Sequence, residues 1–62
     1  MATEQQYSCG ENTYYVVHRN GRLFVEKASW VPSRESVAEV DDMVEALDMI
    51  RADAGSSKIE AR

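Results

Sequence analysis

Two side chains of the sequence are of the types used in nucleophilic catalysis, the thiol of Cys9 and the imidazole of His18. A Cys–His pair works only when the two groups lie within hydrogen-bond distance and a third group orients the base. Cys9 falls in a polar segment without periodicity, and the three glycines are too isolated to form a phosphate-binding loop. We therefore predict a strand histidine, a cysteine in a terminal arm, and a protein that is not an enzyme and has no cofactor.

The same two side chains, Cys9 and His18, also argue against a metal site. A structural zinc site within one chain needs four ligands drawn mainly from cysteine and histidine, and the chain has one of each. No segment shows the spacing of oxygen ligands found in an EF-hand loop. The sequence predicts no metal site.

Three carboxylates, Asp41, Glu45 and Asp48, are spaced so that they share one face of a helix, and no lysine or arginine interrupts that face. Residues 32–62 hold eight acids and four bases, which accounts for the whole net charge of −4. Such a face is the ordinary solvated side of an amphipathic helix, or it contacts a basic surface of a partner, for example by imitating a phosphate backbone. The sequence leaves both interpretations open.

Aromatic and basic side chains are concentrated in residues 13–30. Arg19 and Arg22 face each other beside a predicted turn, an unfavourable pair unless an anion or a carboxylate lies between them. Large aromatic residues are common anchors of protein interfaces, and on strands they also stack on bases. Nucleic acid is the less favoured partner because the chain is acidic. The aromatic candidates for partner binding are Tyr14, Tyr15, Phe24 and Trp30.

The element that positions these residues is a β-hairpin around Asn20-Gly21, a dipeptide typical of type I′ turns. Strand alternation then places Tyr15, Val17 and Phe24 on one face, and Tyr14, Val16, Leu23 and Val25 on the other. Neither face is plainly polar, although a sheet with one solvated side usually alternates clearly. One helix can cover only one face, so we expect a partner on the second.

The segment after Pro32 has two interpretations. In the first, Ser36 caps a helix over residues 37–54 and Gly55 ends it. In the second, residues 36–40 form a third strand, and Asp42 caps a shorter helix. The resulting βββα arrangement resembles the arm-type DNA-binding domains of phage integrases in outline, although no motif carries the match.

The predicted fold class is therefore α+β, an antiparallel hairpin of two or three strands packed against one C-terminal amphipathic helix. This domain spans residues 13–55, between a flexible arm at residues 1–12 and a disordered tail at residues 56–62. A chain of 62 residues has a marginal core, and one cysteine cannot form an intramolecular disulfide. Self-association or a partner is the remaining support.

The sequence predicts a small acidic protein that binds a partner protein and regulates or inhibits it by occluding its surface. We expect it to act as a homodimer or on a larger protein with a basic surface; small acidic proteins of phages often act this way, an analogy that only sets a prior. The alternatives are a nucleic-acid-binding hairpin and a structural subunit of an assembly. The free cysteine and the absence of a signal or spanning segment predict a cytoplasmic protein without membrane contact.

Overall fold

The computed structural model describes residues 3–28 and 33–62. These residues form an antiparallel sheet with one helix, so the predicted α+β class is confirmed. The elements are β1 at Thr3–Cys9, β2 at Asn12–Arg19, β3 at Arg22–Ala28, β4 at Arg34–Val40, α1 at Met43–Ala54 and β5 at Ile59–Ala61. The strands lie in the order β4-β3-β2-β1-β5.

The turn between β2 and β3 has the conformation that the sequence predicts. Asn20 and Gly21 have φ angles of 55° and 77°, as both central positions of a type I′ turn require. The register is the predicted one: Arg19 lies opposite Arg22 beside the turn, and Tyr14 lies opposite Lys27 at the far end. Because a shift of one residue would exchange the two faces of the hairpin, this register fixes which aromatic side chains meet the helix.

The second interpretation of the segment after Pro32 is confirmed, and the long helix capped by Ser36 is wrong. Residues Arg34–Val40 pair with β3, and the register shifts between Val25 and Glu26. At this irregularity Val37 is the extra residue, so Val37 and Val40 both pack on the core although they are three residues apart. A bulged strand therefore imitates the apolar spacing of a helix.

Two further predictions are corrected at the ends of the chain. Residues 1–12 were expected to be a flexible arm, whereas Thr3–Cys9 form β1; residues 56–62 were expected to be a disordered tail, whereas Ile59–Ala61 form β5. Helix α1 consequently lies mid-chain, and the described sheet has five strands rather than two or three. The first four residues of β1 are exposed, which removes the apolar alternation that marks a strand.

Helix α1 covers the face of the sheet that carries Tyr14 and Val16. Its buried side chains are Ala46 and Ile50, and it ends at Gly55, whose φ of 68° places it in the left-handed region and whose N–H donates to the Arg51 carbonyl at 2.9 Å. Within the described ranges, no helix is long and apolar enough to cross a membrane. The buried core is Cys9, Tyr14, Val16, Leu23, Val25, Val40, Ala46 and Ile50.

We expect Asp42→Ala to lower the free energy of unfolding by about 1 kcal/mol, because Asp42 caps α1. Its Oδ1 accepts a hydrogen bond from the Glu45 N–H at 2.9 Å. Asp41→Ala is the matched control, since it removes the same charge but leaves that bond intact. Urea denaturation followed by circular dichroism measures both variants, and equal losses of stability would contradict the capping role.

Candidate functional site

The two residues suited to nucleophilic catalysis lie on different strands, Cys9 at the end of β1 and His18 near the end of β2. Cys9 pairs with Asn12, is 1% exposed, and its Sγ donates to the Ser56 carbonyl at 3.5 Å. His18 lies six residues further along β2, roughly 20 Å away at the rise of a strand. They cannot form a Cys–His pair in this fold.

Nor does the described surface gather these groups into a cleft or a metal site. Two clefts of about 320 and 370 Å³ lie beside β5, and neither is lined by Cys9 or His18. Across residues 3–28 and 33–62, no group of three or more His, Cys, Asp or Glu side chains is arranged to hold a metal ion.

The predicted acidic helix face lies on the outer side of α1 and the turn before it. Asp41, Glu45 and Asp48 are all exposed, and so is Val44, at 71%. Two of the carboxylates already have partners: Glu45 accepts from the Asp41 N–H at 3.3 Å, and Asp48 accepts from Arg51 at 3.1 Å. These two carboxylates therefore stabilise α1 and the turn before it.

Tyr14 is not a surface residue, although the sequence made it a candidate for partner binding. It is 0% exposed beneath α1, and its hydroxyl donates to Asp53 at 2.7 Å and accepts from Asn12 at 3.2 Å. Lys27 lies 3.4 Å from the same Asp53 oxygen. Burial, followed by the Asp53 hydrogen bond, raises the pKa of Tyr14 to about 12, and the same bond lowers the pKa of Asp53. This cluster fastens the end of α1 to β2 and β3.

Two of the other aromatic candidates, Tyr15 and Phe24, lie on the face of the sheet opposite α1, which we call the open face. Tyr15 and Phe24 are half-buried there, and Val17 between them is 4% exposed. No helix covers this face in the described part of the chain. Trp30, the fourth aromatic candidate, falls outside the described residues.

The side chain of Arg34 lies across the open face and contacts three strands. Its guanidinium carbon is 3.7 Å from the centroid of the Tyr15 ring on β2. Its nitrogens lie 2.6 Å from a carboxylate oxygen of Glu4 on β1 and 3.4 Å from one of Glu26 on β3. The hydrogen bond to Glu4 raises the pKa of Arg34, so the group stays charged. We call Tyr15, Glu4 and Glu26 together the guanidinium site.

The arginine pair beside the turn also finds partners on the open face. Arg22 forms an ion pair with Glu39 of β4, and the Arg19 guanidinium lies 5.6 Å from the centroid of the Phe24 ring. The Glu39 carboxylate therefore lies next to the arginine pair. It offsets the repulsion that two like charges opposite each other would otherwise cause.

The open face and the acidic helix face lie on opposite sides of the molecule. The smallest dimension of the protein is 19 Å, whereas the electrostatic screening length at physiological salt is about 8 Å. The helix carboxylates therefore act only weakly on a partner that docks on the open face. The two surfaces are separate candidates for partner binding.

Sequence reasoning missed Arg34, Glu4 and Glu26, which assemble the most elaborate side-chain cluster of the open face. Glu4 was assigned to the arm, and the irregular register of β4 hid the position of Arg34 opposite Ala28. The third-strand interpretation over residues 36–40 was the one available signal, because its extension to residue 34 brings Arg34 beside the hairpin.

Comparison with known proteins finds no matching family, no matching curated protein and no matching solved structure. The functional interpretation therefore rests on the geometry of the open face and of α1.

Proposed function

We propose that the protein is a small non-enzymatic binding module that regulates or inhibits by covering a surface of another protein molecule. Its contact surface in this proposal is the open face. The observation that carries the proposal is the arrangement of Tyr15 and Phe24 around a shielded Val17, with arginine–glutamate pairs beside them. Tyrosine and arginine are enriched at the centres of protein interfaces, where an apolar patch is surrounded by a polar rim.

The structure of the two edges of the sheet favours a partner that contacts the open face over one that adds a strand at an edge. β4, at one edge, carries an irregularity in its register, and β5, at the other, is only three residues long. Bulges and short strands are the usual means by which proteins prevent edge-to-edge pairing. We therefore place the contact with a partner on the open face and not at an edge of the sheet.

The first partner in this proposal is a second copy of the chain. A twofold dimer contacts itself through the same patch on both subunits, so the patch has to be self-complementary. The open face meets this requirement because Arg22 and Arg34 lie beside Glu4, Glu26 and Glu39 on one surface. A dimer would also support a core that 62 residues make small.

Tyr15→Ala is expected to weaken the dimer about 30-fold or more, which corresponds to about 2 kcal/mol for an interface anchor. Sedimentation equilibrium over a dilution series measures the dimerisation constant. A thermal melt at each concentration checks it, because a dimer melts at a higher temperature as its concentration rises. Phe24→Ala should act in the same direction.

Val44→Ala is the matched control, since Val44 is exposed on the opposite side of the molecule. A dimer that responds to Val44→Ala and not to Tyr15→Ala would place the contact on α1 and contradict the proposed surface. A chain that stays monomeric, with melting independent of concentration, would exclude a second copy as the partner.

A further inference from the structure

We infer that the guanidinium site is a binding site for an arginine side chain of a partner polypeptide, and that Arg34 occupies it when the partner is absent. The inference rests on the proposed function, because it names the kind of side chain that the open face receives.

The contacts of Arg34 show what the site accepts. The face of an aromatic ring lies 3.7 Å from the guanidinium carbon, and carboxylates from two different strands lie within 2.6 and 3.4 Å of its nitrogens. A guanidinium is planar and presents its donors as a fork, so it can stack on the Tyr15 ring while donating to carboxylates in its own plane. These partners belong to β1, β2 and β3, which the sheet holds in register.

The charge of the site favours a cation from outside the chain. Glu4 and Glu26 contribute two negative charges, and Arg34 returns one positive charge. The chain as a whole carries a net charge of −4, which attracts basic partners over the bulk of the surface. A partner's arginine therefore meets a site that is attractive even while Arg34 is bound.

The position of Arg34 allows such an exchange. It is the first residue of the edge strand β4, and its side chain is 37% exposed, so part of the side chain is open to solvent. Contacts of exposed ion pairs are individually weak. The intramolecular arginine can leave without disturbing the core beneath α1.

The test is titration of a fluorescent arginine–glycine peptide into wild type and Arg34→Ala at physiological ionic strength, followed by fluorescence anisotropy. Removal of Arg34 empties the site, so we expect the variant to bind the peptide about tenfold tighter than wild type. A lysine–glycine peptide of the same length should gain much less, because an ammonium group does not stack on a ring as a guanidinium does. The double variant Arg34→Ala, Tyr15→Leu should lose the gain.

Arg51→Ala is the matched control. Arg51 is also 37% exposed and also pairs with a carboxylate, so its removal changes the net charge equally without touching the guanidinium site. Equal binding by Arg34→Ala and Arg51→Ala, or equal gains for the two peptides, would overturn the inference in favour of general charge attraction. Circular dichroism checks that each variant is folded, and Arg34→Gln replaces Arg34→Ala if the alanine variant is not.

Failure of this inference is distinguishable from failure of the proposed function. If sedimentation shows a dimer that Phe24→Ala weakens, while no variant discriminates between the peptides, the open face is an interface without an arginine site. If the peptides are discriminated while the chain stays monomeric, the arginine site stands and the second copy is excluded as the partner.

Discussion

Ile50→Ala is expected to lower the free energy of unfolding by about 2 to 5 kcal/mol. Ile50 is 0% exposed in the layer between α1 and the sheet, so the change removes buried methyl groups and leaves a cavity. A domain of this length has roughly 3 to 9 kcal/mol of stability in total. One substitution therefore removes between about a fifth of this stability and all of it.

Urea denaturation monitored by circular dichroism measures this loss. Val44→Ala lies on the same helix at 71% exposure and should change the stability by no more than about 0.5 kcal/mol. Equal losses of stability would contradict the packing of α1 on the sheet through the side that carries Ile50.

Tyr14→Phe is expected to cost about 1.5 to 3 kcal/mol at neutral pH, because the Tyr14 hydroxyl donates a buried hydrogen bond to the Asp53 carboxylate at 2.7 Å. It should also change the response of the protein to alkali. The folded-state pKa of Tyr14 is raised from 10.0 to about 12, mainly by burial. The stability tied to this group is fully present below pH 10 and is lost as the pH rises through 12, by roughly 2 to 3 kcal/mol.

Urea denaturation between pH 7 and pH 12 separates the two effects. Wild type should lose stability more steeply than Tyr14→Phe above pH 10, so the difference between them should shrink with rising pH. Tyr7→Phe is the control, because the Tyr7 hydroxyl bonds to Gln5 on the exposed surface. Parallel curves for wild type and Tyr14→Phe would contradict the assignment. At the acid end, the lowered pKa of Asp53 gives stability that is lost as the pH falls through that value.

The hairpin was predictable because its signals are local. Asn20-Gly21 requires two positive φ angles in succession, and this requirement alone set the turn, the register and the separation of Tyr14 from Tyr15. The cap of α1 was predictable for the same reason, because Asp42 and Glu45 lie within one turn of each other.

β1 and β5 were not predictable, because no local signal marks either strand, and β4 was predicted only as one of two interpretations of its segment. β1 is a strand only because β2 and β5 pair with it, since most of its side chains are polar and exposed. The spacing of Val37 and Val40 favours a helix until β3 is known to lie alongside. Arg34 could be assigned to the open face only once the irregular pairing of β3 with β4 was known.

The place of β1 between β2 and β5 has a consequence for synthesis of the chain. A polypeptide is synthesised from its amino end, so β1 is made, and emerges from the ribosome, before residues 59–61. Until then β1 is an outer strand with unpaired peptide groups, the kind of surface that recruits other chains. β5 thus covers the Tyr7–Cys9 part of β1 across a separation of about fifty residues, and until β5 is made that part of the strand is open to contact by chaperones.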